Sequence, residues 1–241
     1  MEVNIEFFAR NTRMAVLRGD VVVVMDVLRC SSSIIAALAQ GATAIVPVKT
    51  VREAREVHQA NPEFILAGER EGVKPLGFDY GNSPSVFFHA ELESRSLILT
   101  TTSGTAALSE AKGAKYVLVG AFLNAKSVAE SALKIAEKEK CGITLALSGK
   151  KGSFSLEDFL GAGAIQSSFP SSTHLSDAAQ AALIAFHGAK NRLYDTIKNG
   201  NHAKYLINIG FGDDVEFCSQ VDKFSIVPSL QDNKITPLNL K

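Results

Sequence analysis

Short apolar runs alternate along this chain with stretches that repeat apolar residues every three or four positions. That alternation predicts strands feeding into helices from one end to the other. Residues 21–25, four valines and a methionine, read as a strand buried on both faces. The apolar stretch 34–39, closed by Gly41, reads as the next helix. Residues 44–48 then form a third strand, and Thr50 caps a helix over 51–59 that carries Arg52, Glu53, Arg55 and Glu56 on its wet face. Further strands are expected at 3–8, 64–67, 97–100, 116–119 and 143–147. Helices are expected from 105 to about 112, over 126–140, from Ser155 with Asp158 completing a capping box, and through most of 176–199. Strands near 214–217 and 224–227 would close the pattern, while 71–84 lacks either period and reads as a long loop of the kind that usually carries function. Strands alternating with helices argue for an α/β fold with a mainly parallel sheet covered on both faces. Nothing resembling a linker divides residues 1–241, so a single domain is expected; Phe169-Pro170-Ser171-Ser172 is a weak signal for a lobe boundary near 170, which leaves open two similar lobes.

Composition removes several function classes. The 25 basic and 25 acidic residues cancel, so no global field favours nucleic acid, and any electrostatic recognition must be local. Three widely spaced cysteines without a CxxC pair argue against a disulfide framework or a structural zinc site and fit a reducing compartment. The N-terminus lacks a basic segment followed by an apolar one, and no apolar run approaches the roughly 20 residues that span a bilayer. A cytoplasmic protein without membrane partners is expected, and 46% apolar residues leave room for a homodimer interface.

Parallel strands bring their C-terminal ends to one edge of a sheet, where α/β proteins bind ligands. Four of the expected strand ends carry polar clusters, at 26–33, 68–83, 100–105 and 148–158. Thr100-Thr101-Thr102-Ser103-Gly104-Thr105 before a helix suits an oxyanion, with hydroxyls and backbone N–H groups available and Gly104 permitting close approach. One helix cap needs one hydroxyl, and this loop offers five. Arg29 can clamp a phosphate bidentately or pair with Asp26. Asp26, Glu69 and Asp79 suit a hard divalent cation such as Mg²⁺, or else structural pairing with Arg29 and Arg70. Glu157 and Asp158 read as acids stabilising a first helical turn. Lys150 and Lys151 lie in a Ser-Gly-Lys-Lys-Gly turn that can receive a second anionic group but is not a phosphate-binding P-loop. Cys30 reads as a small buried residue, because the Cys-x5-Arg loop of cysteine phosphatases is missing and position 36 is alanine. No histidine pair has zinc-binding spacing.

With these segments in place the chain resembles the Mg²⁺-dependent 2-phosphosulfolactate phosphatase family. The resemblance is carried by DVLRCSSSIIAALAQGA (26–42), AGEREGVKPLGFDYGNSPS (67–85), LTTTSGTAAL (99–108), VGAFLNAKSVA (119–129) and SGKKGSFSLEDFLGAGAI (148–165), with a weaker match over 214–228. It implies a three-layer α/β/α protein that hydrolyses the phosphomonoester of a small phosphorylated 2-hydroxy acid, 2-phospho-3-sulfolactate, to 3-sulfolactate and phosphate. In that frame Asp26, Glu69 and Asp79 bind the metal or activate water. Arg29, Thr101, Thr102, Ser103, Gly104 and Thr105 hold the phosphoryl group, and Arg70, Ser148 and Lys150 hold the sulfonate or carboxylate end. A phosphoribosyltransferase fits less well, since residues 97–100 supply no acidic pair before the Thr-rich loop. A non-catalytic anion receptor on the same scaffold gains nothing from carboxylates set beside its basic residues.

Overall fold

The computed structural model describes residues 1–150 and 152–239. Its strands are β1 (Glu2–Glu6), β2 (Val21–Met25), β3 (Ala44–Val48), β4 (Ile65–Gly68), β5 (Ser96–Thr100), β6 (Val117–Gly120), β7 (Ile143–Leu147), β8 (His174–Leu175), β9 (Pro228–Gln231) and β10 (Lys234–Pro237). The α-helices are α1 (Thr12–Arg18), α2 (Cys30–Ala39), α3 (Val51–Ala60), α4 (Pro84–Phe87), α5 (Gly104–Glu110), α6 (Ala125–Glu139), α7 (Leu156–Gln166), α8 (Asp177–Ala189), α9 (Leu193–Lys198), α10 (Asn201–Asn208) and α11 (Gly212–Cys218). Among the described residues no helix is long and apolar enough to cross a membrane.

The strands form one sheet in the order β4-β5-β3-β10-β9-β6-β2-β7-β1-β8. It is mainly parallel and flanked by helices, the α/β class that the hydrophobic pattern predicts. β2, the valine run, lies between β6 and β7 with all five residues buried, which is why it is apolar without alternation. Thr50 caps α3 by accepting from the Glu53 N–H at 3.0 Å.

Two parallel sets, β4-β5-β3 and β6-β2-β7-β1-β8, are joined by the antiparallel hairpin β9–β10. In a flat sheet that hairpin would aim the strand ends of the two sets at opposite edges. Sheets twist by roughly 20–25° per step, however, and over the five steps from β5 to β2 this accumulates to about a right angle or more. The loops after β2 and β5 therefore meet, and the closeness of Gly104 to Cys30 and Asp26 is direct evidence of it.

Three expectations are corrected. Residues 214–217 lie in α11, where Asp213 and Asp214 occupy the helix's first turn and favour it electrostatically. Residues 224–227 form no strand; the last strands are β9 and β10, turned by Asp232 and Asn233 with φ of 48° and 61°, the left-handed pair that a two-residue hairpin needs. And α2 begins at Cys30, so the three serines lie inside its first turn: Ser31 Oγ accepts from the Asp26 N–H at 2.9 Å and Ser32 Oγ donates to the Val27 carbonyl at 2.8 Å. The chain beyond 170 joins the same sheet through β8, β9 and β10.

Candidate active site

A cavity of about 270 Å³ lies where the loops after β2, β4, β5 and β7 meet α7 and α10. Acids dominate its wall. Asp26, Glu69, Glu71, Glu157 and Asp158 line it, against Arg29, Lys150 and His202.

Asp26 follows directly on β2 and is 8% exposed. Burial pushes its carboxyl up from 3.8 to about 6, and the nearby charges of Glu69 and Glu157 add to the rise. The charge of His202 and the Cys30 N–H offset part of it. A Cβ on Gly104 would overlap the Cys30 side chain and come within 2.7 Å of Asp26 Oδ2, so only glycine lets α5 approach this carboxylate. Burial, then Asp26, hold the Cys30 thiol well above its ordinary range, which fits a packed residue rather than a nucleophile.

Glu69 ties the two parallel strand ends of its set together. Its Oε1 accepts from the Thr102 N–H at 2.6 Å, and its Oε2 accepts from the Gly72 N–H at 2.7 Å and the Thr102 hydroxyl at 3.1 Å. Asp158 does the same across the other set, accepting from the Val27 N–H at 2.8 Å and the Gly149 N–H at 3.3 Å. Burial, then Asp26 and Glu157, raise its carboxyl well above the usual range. Ser155 caps α7 through the Asp158 N–H, but the Asp158 side chain reaches these loops instead of closing a capping box. Glu157 Oε1 lies 2.9 Å from His202 Nδ1.

Arg29 lines the cavity, yet its salt bridge is to Asp214, at 2.7 Å, and not to Asp26. It also donates to the Gly72 carbonyl at 2.7 Å and stacks on the Phe211 ring at 4.1 Å. Asp214 in turn accepts from the Ser83 and Ser85 hydroxyls, each at 2.6 Å. Thr102, Ser103 and Lys150 also belong to the wall, with Lys150 Nζ 4.5 Å from the Tyr205 ring centre.

Other expected residues lie elsewhere. Asp79 is exposed and accepts from the Leu66 N–H at 2.8 Å, pinning its loop to β4. The Arg70 guanidinium turns to strand ends, donating to Glu69 O at 2.6 Å, Thr100 Oγ1 at 2.8 Å and Lys49 O at 3.0 Å. Thr101 and Thr105 are buried and bond each other: the Thr105 N–H donates to Thr101 Oγ1 at 3.1 Å and the Thr105 hydroxyl to Thr101 O at 3.0 Å. Ser148 is buried and does not line the cavity, and its hydroxyl has no hydrogen-bond partner among the described residues. Lys74 is exposed and donates to the Asp79 carbonyl, and Lys151 lies outside the described residues. Asp26, Glu69 and Asp79 are thus not gathered, and among the described residues no three His, Cys, Asp or Glu side chains are grouped to hold a metal.

The sequence reading passed over His202, Tyr205 and Leu206 of α10, which all line the cavity. Their i, i+3, i+4 spacing marks one helix face, a signal that an ordinary core-facing helix gives equally well. Tyr205 fastens that face down by donating to the Glu71 carbonyl at 2.9 Å.

A family model described as 2-phosphosulpholactate phosphatase matches residues 9–233. Among curated relatives, a probable 2-phosphosulfolactate phosphatase of Thermotoga petrophila is 39% identical over 208 residues, covering 86% of this chain and 88% of that one. Proteins of the same description from Caldanaerobacter subterraneus (38% over 214 residues, 87% of each chain) and Carboxydothermus hydrogenoformans (35% over 238 residues, 98% and 96%) extend the likeness across nearly the whole length. Matches of this extent and identity establish that the chain belongs to the 2-phosphosulpholactate phosphatase family of enzymes.

Proposed function

We propose that this enzyme hydrolyses 2-phospho-3-sulfolactate to 3-sulfolactate and phosphate, with Mg²⁺ bound in the cavity. The observation that carries the reading is the charge of the wall. A substrate bearing phosphate, carboxylate and sulfonate must enter a cavity whose wall carries Asp26, Glu69, Glu71 and Glu157 beside Arg29, Lys150 and His202, with Asp158 held toward its neutral form by burial. Asp26 has no salt bridge among the described residues, and its neighbours' negative charges raise its carboxyl further. Such a site calls for a cation.

The donor set fits a hard ion. Asn82 Oδ1 is buried on the cavity wall without a hydrogen-bond partner among the described residues, and it joins Asp26 as a protein oxygen. Mg²⁺ is usually held by one or two such groups, with waters and substrate oxygens completing its shell. Asp26 and Asn82 would hold the ion, which would neutralise charge on the phosphoryl oxygens. Glu69 is less available, since both its oxygens already accept hydrogen bonds from Thr102 and Gly72.

The chain's own groups do the rest. Arg29, fixed by Asp214 and Phe211, presents its remaining N–H donors to an anionic group without searching rotamers. Lys150 supplies a second positive charge for the carboxylate or sulfonate end. Thr102 and Ser103 border the phosphoryl position, and α10 covers it against bulk water. Water attacks phosphorus directly in this reading.

Phosphate release from 2-phosphosulfolactate, 2-phospholactate, phosphoglycolate and p-nitrophenyl phosphate, with Mg²⁺ or EDTA, tests it. Mg²⁺-dependent release that is fastest on 2-phosphosulfolactate is expected. Preference for another ester overturns the substrate, and equal rates in EDTA overturn the metal.

A further inference from the structure

His202 reaches the cavity from the first turn of α10, far in sequence from every strand-end loop. Its only hydrogen-bond partner among the described residues is Glu157, through Nδ1 at 2.9 Å. The Glu157 side chain is 3% exposed and sits in the first turn of α7, so the carboxylate that orients the ring is itself held by packing. An imidazole whose Nδ1–H is taken by a carboxylate keeps one orientation and has its other nitrogen, Nε2, for the cavity. His202 and Asp26 line the same cavity, in which the phosphoryl group is proposed to sit.

Phosphoryl transfer builds negative charge on the departing oxygen. For a 2-hydroxy acid that oxygen becomes an alkoxide, a far poorer leaving group than an aryl oxide. We infer that His202 donates the proton which the leaving alkoxide requires, with Glu157 as its positioning residue. The inference rests on the phosphomonoesterase reading above. In the step, the bond from phosphorus to the ester oxygen breaks as the bond from water oxygen to phosphorus forms. The proton on His202 Nε2 passes to the ester oxygen, giving the free hydroxy acid. The attacking water gives up one proton to solvent, and the ring takes one back, so a turnover consumes water alone.

The test compares two leaving groups in the holoenzyme. His202→Asn retains an amide where Nδ1 stood and removes Nε2. For 2-phosphosulfolactate its kcat is expected to fall on the order of 10²–10³-fold, the usual share of a general acid. For p-nitrophenyl phosphate, whose leaving group needs no proton, the fall is expected to be about tenfold or less. Glu157→Gln should show the same bias at smaller size, with KM little changed. The ratio of the two rates does not depend on how much of a variant folds. Equal losses on both substrates overturn the proton-donor role while leaving the phosphatase reading intact. Absence of turnover by the unmutated protein on either ester instead overturns the phosphatase reading itself.

Discussion

Two buried carboxylates, one on the cavity wall and one paired with a wall arginine, meet opposite fates. Asp214, at the start of α11, is 1% exposed and fully answered: Arg29 neutralises it, and Ser83 and Ser85 hydrogen-bond it. Asp26, at the end of β2, is scarcely more exposed, yet no salt bridge among the described residues answers it, and its carboxyl is pushed up to about 6. A satisfied buried acid is architecture. Under the function proposed above, an acid left without a salt bridge among like charges awaits a ligand that brings the missing positive charge.

Substitutions can break that contrast. The largest effect is expected from Asp26→Asn in the Mg²⁺-supplemented assay: a loss of at least about 10³-fold in kcat, or roughly 4 kcal/mol of barrier. Retained turnover would make Asp26 a second Asp214. Asp214→Ala leaves the Arg29 guanidinium buried and unpaired, so urea unfolding should show a loss of about 3–5 kcal/mol. A change below about 1 kcal/mol would show that the pair is not a structural hub.

A third prediction uses the pH dependence of stability in metal-free protein. Because burial raises Asp26 from 3.8 to about 6, the folded chain binds more protons than the unfolded one between those values. The contribution of this group therefore falls as pH climbs from about 4 to 6 and stays low above. Asp26→Asn should then stabilise metal-free protein by about 3 kcal/mol at pH 8 and by little below pH 4. A variant equally or less stable than its parent at pH 8 would contradict the uncompensated charge. The smallest effect is expected from Arg70→Ala. Losing its hydrogen bonds should cost about 1–2 kcal/mol of stability, with KM for the sulfonated ester unchanged because the guanidinium faces away from the cavity. A raised KM would restore Arg70 to substrate binding.

The same contrast explains what could be read from the sequence. β2 and β7 begin and end where the sequence pattern puts them, because all five residues of each are buried and burial on both faces favours a continuous apolar run. Strand-end loops carry dense polar clusters, so the sequence alone singles out Asp26, Glu69, Thr102 and Lys150. Which way a loop side chain turns is set by backbone partners distant in sequence. Asp79 and Arg70 look as functional as Glu69, and only the Leu66 N–H and the Thr100 hydroxyl reveal their structural use. The 214–217 stretch alternates polar and apolar residues like a strand, but Asp214 is drawn inward by Arg29, a partner 185 positions away. His202 sits on a helix face whose spacing is that of any packed helix, so no local pattern could separate it from core.

The hairpin β9–β10 has a consequence for how the molecule is made. It lies in the middle of the sheet although β9 and β10 come after every other described strand in the chain. While residues 228–237 are still within the ribosome, the set that carries Glu69 and the set that carries Asp26 share no strand pairing. Each can collapse locally, but the strands that join them come last, and such long-range pairing is slow. A nascent chain therefore exposes two open sheet edges, those of β3 and β6, until residues 228–237 have emerged. A ribosome stalled before residue 228 should hold a protease-sensitive and inactive product, even though every residue assigned to the cavity has already been made.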